Sequence, residues 1–259
     1  MILRVGFLGT GSLASFLVRC LSREPDVRIM ISPRNAARAA QLACDYGAEV
    51  GADNQDVIER SDLLMVCLPA DAGAEVLAKL QFRTGQVVIS AMAGVSHELV
   101  TAAVSPACAH LAMMPGHANA LGLGPVVLYP SDVQSHALLQ RFGPVISVKD
   151  EATFTTAATF GAVSGASFAW MVTMIRWFEN HGLASDYARK LVAATLQGNA
   201  GVLLAEDTPL DDILAGVATP GGITELMVDS LEKHDALNSW VYGMTDVLHR
   251  LKAPAAPSD

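Results

Sequence analysis

Gly9-Thr10-Gly11-Ser12-Leu13-Ala14 is the stretch that decides the fold. It follows Ile2 to Leu8, an apolar run of strand length, and opens Ser12 to Leu21, where Leu13, Phe16, Leu17 and Leu21 recur along one helical stripe. A strand, a GxGxxA turn and a helix, in that order near the N-terminus, form a dinucleotide-binding arrangement. Gly9 allows the tight turn, Gly11 lets a pyrophosphate reach the main chain, and Ala14 lets helix and strand pack closely. Ser12 and Leu13 add amides at the helix start, where an anion is favoured. An ordinary strand–helix turn is the plainer alternative.

The pattern continues outward from that turn. Val27 to Ile31 reads as a second strand and Asn35 to Tyr46 as a helix stopped by Gly47. Strands follow at Asp62 to Leu68, Val87 to Ala91, Leu111 to Met114 and Val126 to Tyr129, with helices at Ala72 to Leu80 and Glu98 to Val104. Strands alternating with helices imply a parallel sheet covered on both faces. Beyond about Lys149 strand signals vanish, and helices are expected near 152–181, 185–205, 209–217, 223–234 and 236–251. The fold class is therefore α/β: an N-terminal Rossmann-type doubly wound parallel sheet followed by an all-helical domain. The expected domains are 1–150 and 151–252, with a disordered tail at 253–259.

The end of the second strand bears on the choice of dinucleotide. An acidic residue there suits the ribose 2′-hydroxyl of NAD. This chain has Ser32-Pro33-Arg34-Asn35 instead, and a hydroxyl, a guanidinium and an amide suit the 2′-phosphate of NADP. NADPH is accordingly expected over NADH. The plainer alternative is that Arg34 is solvated and Asn35 only caps the next helix.

A second glycine turn, Thr219-Pro220-Gly221-Gly222-Ile223-Thr224, precedes the apolar-periodic Leu226, Met227 and Leu231. Bare amides at a helix start attract an anion such as a carboxylate. Thr224 has two readings: a helix cap, or a hydroxyl facing a substrate nitrogen. Glu225 reads as an ordinary acidic first-turn residue.

Composition narrows the function classes. With 51% hydrophobic and 17% charged residues, the chain is apolar for a monomer, so part of its surface is expected in a subunit interface. Lys+Arg number 17 against 26 Asp+Glu, a net charge of −9 without a basic cluster, which argues against nucleic acid and anionic membrane as partners. Cys20, Cys44, Cys67 and Cys108 lack metal-site spacing; they read as free buried thiols of a cytoplasmic protein, and no metal is expected. The opening residues do not read as a secretory signal. Residues 152–175 carry no Lys, Arg, Asp or Glu, long enough to span a bilayer. Their Thr, Ser and Gly content, with little Leu or Ile, favours a buried or dimer-interface helix.

The ordered segments Val66-Cys67-Leu68-Pro69, Ser90-Ala91-Met92-Ala93-Gly94-Val95, Met114-Pro115, Ser164-Gly165 and Ala218-Thr219-Pro220-Gly221-Gly222-Ile223-Thr224 together resemble the pyrroline-5-carboxylate reductase family. The last segment is similar to its Ser-Pro-Gly-Gly-x-Thr signature. The resemblance runs from the N-terminal turn to about Leu251. It implies hydride transfer from NAD(P)H to the imine carbon of pyrroline-5-carboxylate, giving proline. It implies that Gly221, Gly222 and Ile223 hold the substrate carboxylate, that Thr224 faces the ring nitrogen as the catalytic hydroxyl, and that Ser164 lines the substrate site. Cys67, Leu68, Pro69, Met92, Ala93 and Gly94 would line the cofactor's ribose and nicotinamide. It also implies a homodimer, or a larger homo-oligomer of dimers, through interlocking helical domains.

Three segments depart from the family pattern: Gly116 follows Pro115 where Asn is usual, Phe168 and Trp170 replace parts of a Ser-Gly-Ser-Gly-Pro-Ala-Tyr run, and Leu68 replaces a lysine. They bear on ring size. His117 reads as structural or solvent-facing rather than as a proton donor. Two rival readings share the layout. β-Hydroxyacid dehydrogenases need a helical-domain lysine, and none occurs between Lys149 and Lys190. A non-catalytic NADP-binding dimer is the other.

Overall fold

The computed structural model describes residues 2–253. The described residues divide into two compact units, one made of 2–161 with 247–253, the other of Ala162–Asp246. The last helix thus begins in the second unit and ends in the first. The expected tail begins at Ala253; residues 254–259 lie outside the described residues.

The first unit is built on one sheet of eight strands: β1 (Leu3–Leu8), β2 (Val27–Ile31), β3 (Glu49–Val50), β4 (Leu63–Val66), β5 (Val87–Ser90), β6 (Cys108–Met113), β7 (Val126–Tyr129) and β8 (Val145–Ser147). Their order is β3-β2-β1-β4-β5-β6-β7-β8. Strands β1 to β6 are parallel, with Phe7 opposite Ile31 on one side and Met65 on the other. The expectation of a wholly parallel sheet is corrected at one edge: β7 runs antiparallel to β6, with Leu111 opposite Tyr129, and β8 follows β7 in parallel. The segment from Met113 to Val126 returns the chain without a crossover helix, which permits the antiparallel neighbour.

Alternate residues of the strands feed two cores. Val5, Phe7, Leu63, Met65, Val87 and Ile89 join one buried cluster, together with residues of α1 (Ser12–Leu21) and α2 (Ala36–Tyr46). Leu8, Leu64, Val66 and Val88 join the other, with α3 (Asn54–Glu59), α4 (Ala70–Leu77) and α5 (His97–Val104). Period-two alternation through a sheet buried on both faces makes the fold doubly wound. Helix α6 (Val133–Leu139) packs on the first cluster through Leu138 and Leu139. The unit also holds α7 (Glu151–Ala157), so the sequence boundary at 150 falls one helix earlier than the division between compact units.

The second unit contains most of α8 (Phe160–Asn180), then α9 (Ser185–Ala205), α10 (Leu210–Val217), α11 (Ile223–Lys233) and most of α12 (Ala236–Lys252). Residues Glu151–Asn180 are long and apolar enough to cross a membrane by length and composition. Ala188 and Val192 are the buried hydrophobic side chains among the described residues of this unit. Trp177, Leu204, Ile223 and Leu226 lie exposed on the single chain. Trp170 of α8 meets Trp240 of α12 edge to face, with ring centroids 6.4 Å apart. Its ring serves helix packing within the unit.

Candidate active site

The order of the central strands reverses between β1 and β4, where ligands of open α/β sheets bind beyond the carboxyl ends of the strands. A groove of about 730 Å3 lies there, walled by the turn after β1 (Gly9 to Leu13), by Arg34 to Ala36 after β2, by Cys67 to Pro69 after β4, and by Ala91 after β5. It brings together Gly9, Gly11, Ser12, Leu13, Arg34, Asn35, Cys67, Leu68 and Pro69 of the expected cofactor residues. Gly9 has φ +96°, and a Cβ there would meet the Cys67 carbonyl oxygen at 2.5 Å, so conformation and space both require glycine. Gly11 has open space where a Cβ would project. It is also the N-cap of α1, without a side-chain cap, so the first-turn amides are left to a ligand. Ala14 is fully buried beneath the turn. These features fit a dinucleotide pyrophosphate.

Two residues at the end of β2 have structural duties. Ser32 is buried and its hydroxyl accepts a hydrogen bond from the Gly9 N–H at 2.8 Å, so it fastens the glycine turn instead of facing a phosphate. Asn35 accepts from the Arg38 N–H at 3.1 Å and caps α2 while still lining the groove. Arg34 is exposed and lines the groove beside Asn35. Cys67 is half-buried, and burial pushes its thiol up to about 12. The expectation of buried thiols is corrected for Cys44 and Cys108, which are exposed; all four cysteines are free.

Of the Met92-Ala93-Gly94 segment, none lines this groove. Met92 is buried in the second core against Gly73 of α4, where a Cβ would come within 2.1 Å of its sulfur. Ala93 is exposed, and Gly94, with φ +77°, lines a neighbouring apolar groove of about 700 Å3. That groove starts at Ala70, one residue past the wall of the first, and includes Met113, Phe154 and Leu251.

Sequence reasoning missed Asn119. Fully buried, it accepts from the Gly116 N–H at 2.8 Å and donates to the carbonyls of Gly124 at 2.7 Å and Phe142 at 3.1 Å. Gly116 has φ +85°, and a Cβ there would sit 3.0 Å from the Phe16 ring and 3.1 Å from Leu13. The loop after β6 therefore runs close over the first turns of α1, which explains why glycine stands there. His117 packs edge to face on Phe16 at 4.9 Å.

In the second unit, Thr219-Pro220-Gly221-Gly222 is a turn closed by the Gly222 N–H donating to the Thr219 carbonyl at 2.9 Å. Proline second and glycine third, with φ +71° at Gly221, are the type II signature. A Cβ on Gly222 would meet the Thr219 carbonyl and hydroxyl oxygens at 2.8 Å. Gly222, extended at φ −83° and ψ 164°, is the N-cap of α11 and lacks a side-chain cap. The cap reading of Thr224 is thereby corrected: Thr224 is the second residue of the helix, half-buried. Ser164 lies on α8, half-buried, its carbonyl accepting from the Ser167 hydroxyl at 2.8 Å.

Comparison with known proteins agrees with both units. Residues 4–94 match the family model for NADP oxidoreductase, coenzyme F420-dependent, and residues 154–253 match that for pyrroline-5-carboxylate reductase dimerisation. The second of these matches places residues 154–253 in the pyrroline-5-carboxylate reductase dimerisation family. Among similar proteins, pyrroline-5-carboxylate reductase 1 of Bacillus spizizenii is 24% identical over 247 residues, covering 89% of this chain and 82% of that protein. The fold is that of the pyrroline-5-carboxylate reductase of Streptococcus pyogenes, with a TM-score of 0.85 at 19% identity, covering 97% of this chain and 98% of the other. The Plasmodium falciparum pyrroline carboxylate reductase, solved with NADP bound, superposes with a TM-score of 0.83 at 16% identity, covering 96% and 97% of the two chains.

Proposed function

We propose that this chain is an NADPH-dependent reductase of a small cyclic imine carboxylate, converting pyrroline-5-carboxylate to proline. The observation that carries this reading is the pair of glycine turns at helix starts whose N-cap residues lack a side-chain cap: one opens a dinucleotide groove, and the other has an amide that donates to a carboxylate. NADPH supplies the hydride. The amides of Gly11, Ser12 and Leu13 hold its pyrophosphate, and Arg34 holds the 2′-phosphate in a charge-assisted pair. Cys67 to Pro69, with Ala91, flank the ribose and nicotinamide. The Gly221 and Ile223 amides, with Gly222 closing the turn between them, hold the substrate carboxylate, Ser164 lines the ring site, and the Thr224 hydroxyl donates toward the ring nitrogen. Most of the rate enhancement is positioning: an anchored carboxylate fixes the imine carbon, and exclusion of water strengthens the polar contacts.

Residues 1–150 carry the cofactor functions and residues 151–252 those of substrate and assembly. The exposed apolar side chains of α8 to α11, among them Trp177, Leu204 and Leu226, support a homodimer that buries them, with the uncharged 152–175 segment inside it. A cytoplasmic location accords with four free cysteines. Loss of NADPH absorbance on adding pyrroline-5-carboxylate is the expected result. NADPH binding without oxidation by any of a panel of cyclic imines would replace this reading with a sensor, and reduction of NADP by a 3-hydroxy acid would replace it with a dehydrogenase.

A further inference from the structure

The turn before α11 already holds a carboxylate of its own. The Gly221 N–H donates to Oε2 of Glu225 at 2.7 Å. Glu225 is the third residue of α11 and is half-buried, and its side chain folds back across the turn to reach that amide. In a type II turn the amide of the third residue points away from the turn's own hydrogen bond, so it needs an outside acceptor. Glu225 supplies that acceptor with the same chemical group that the substrate brings to the same place.

We propose that Glu225 gates the carboxylate site: it occupies the Gly221 amide in the free protein, and the carboxylate of an incoming imine must displace it. This inference rests on the reading of Gly221 to Ile223 as the substrate cradle. The helix start offers partial positive charge, enough to favour one anion. Two carboxylates within hydrogen-bond reach of one amide repel each other, so binding one moves the other. Glu225 can leave because its side chain has several rotatable bonds and borders solvent. A substrate therefore binds only if its ring contacts and carboxylate together outcompete the internal group. A small anion without the ring gains nothing from the exchange. The gate thus favours molecules that combine a carboxylate with a body filling the ring site.

The test compares pyrroline-5-carboxylate with 1-pyrroline, the same ring without the carboxylate, under saturating NADPH in wild type, E225A and E225Q. In E225A the KM for pyrroline-5-carboxylate is expected to fall about fivefold, the scale of one net hydrogen bond. E225Q, which still offers an amide oxygen to Gly221, is expected to fall less. The gain falls on KM rather than kcat, the KM for 1-pyrroline stays put, and inhibition by acetate tightens in step with the KM for pyrroline-5-carboxylate. If Glu225 is only a helix cap, both substrates shift together as the melting temperature drops, and that result overturns the gate. A rise in KM for pyrroline-5-carboxylate overturns it too. Wild-type protein that turns over pyrroline-5-carboxylate, with variants showing no difference between the substrates, sinks the gate alone. Wild-type protein without that turnover sinks the proposed function as well.

Discussion

The two units of this molecule solve opposite packing problems. The α/β unit buries its sheet between two clusters of its own side chains, with Val5, Phe7, Met65 and Ile89 fully enclosed. The helical unit encloses Ala188 and Val192 and leaves Trp177, Leu204, Ile223 and Leu226 exposed. One is complete as a single chain; the other carries apolar faces that require something to cover them. A single-chain core locates the cofactor groove, whereas the helical faces gain meaning only in an assembly.

Matching changes in the two units test this contrast. Phe7→Ala is expected to destabilise the first unit by about 3–5 kcal/mol, measured by chemical denaturation and independent of protein concentration. Val172→Asp, on the exposed side of α8, is expected to leave the single chain folded and to weaken self-association about a hundredfold, because an unpaired charge enters the proposed interface. Light scattering across a dilution series reads the change, and unaltered mass at every concentration would remove α8 from the interface. The chemistry should divide in the same way. Thr224→Ala is expected to lower turnover about a hundredfold with NADPH affinity preserved, at the low end for a lost proton donor. Arg34→Ala is expected to weaken NADPH binding about tenfold and leave NADH binding nearly intact, as titrations of both dinucleotides would show. Equal losses for the two would contradict the 2′-phosphate role.

The smallest effect concerns pH. The Arg4 guanidinium hydrogen-bonds Asp62 at 2.7 Å and holds its carboxyl below the ordinary aspartate value, against a smaller opposing effect of burial. A depressed native value means this stabilisation is present above the ordinary aspartate value near 4 and is lost as pH falls from there through the lower native value. Both side chains are partly exposed, so Asp62→Asn is expected to change stability by less than about 1 kcal/mol at pH 7, and by progressively less as pH is lowered below the ordinary aspartate value.

Legibility in the sequence cut across that divide, since α9 of the helical unit has its expected bounds as well. The first turn could be read closely because its glycines answer to strict local geometry, and α1, β2 and β7 carry the expected bounds. Strands β3 and β8 were missed because two or three residues leave no period to detect. Helices α3 and α6 did carry a signal in their capping aspartates, Asp53 and Asp132, which accept from the Asp56 and Ser135 amides. The reversed direction of β7 had no sequence signature, since periodicity says nothing about which way a neighbour runs. Ser32 and Arg34 looked alike as phosphate ligands; only the path of the backbone shows that one hydroxyl turns inward to Gly9. Glu225 looked unremarkable for a related reason, because its reach to Gly221 depends on a turn that brings that amide round to meet it.

Cys67 has a consequence for the groove it lines. A thiol that ionises only near 12 remains a small, uncharged, weakly polar surface throughout the physiological range. The wall keeps sulfur's softness and polarisability while withholding its reactivity, so Cys67 offers the groove contact surface without a ready nucleophile.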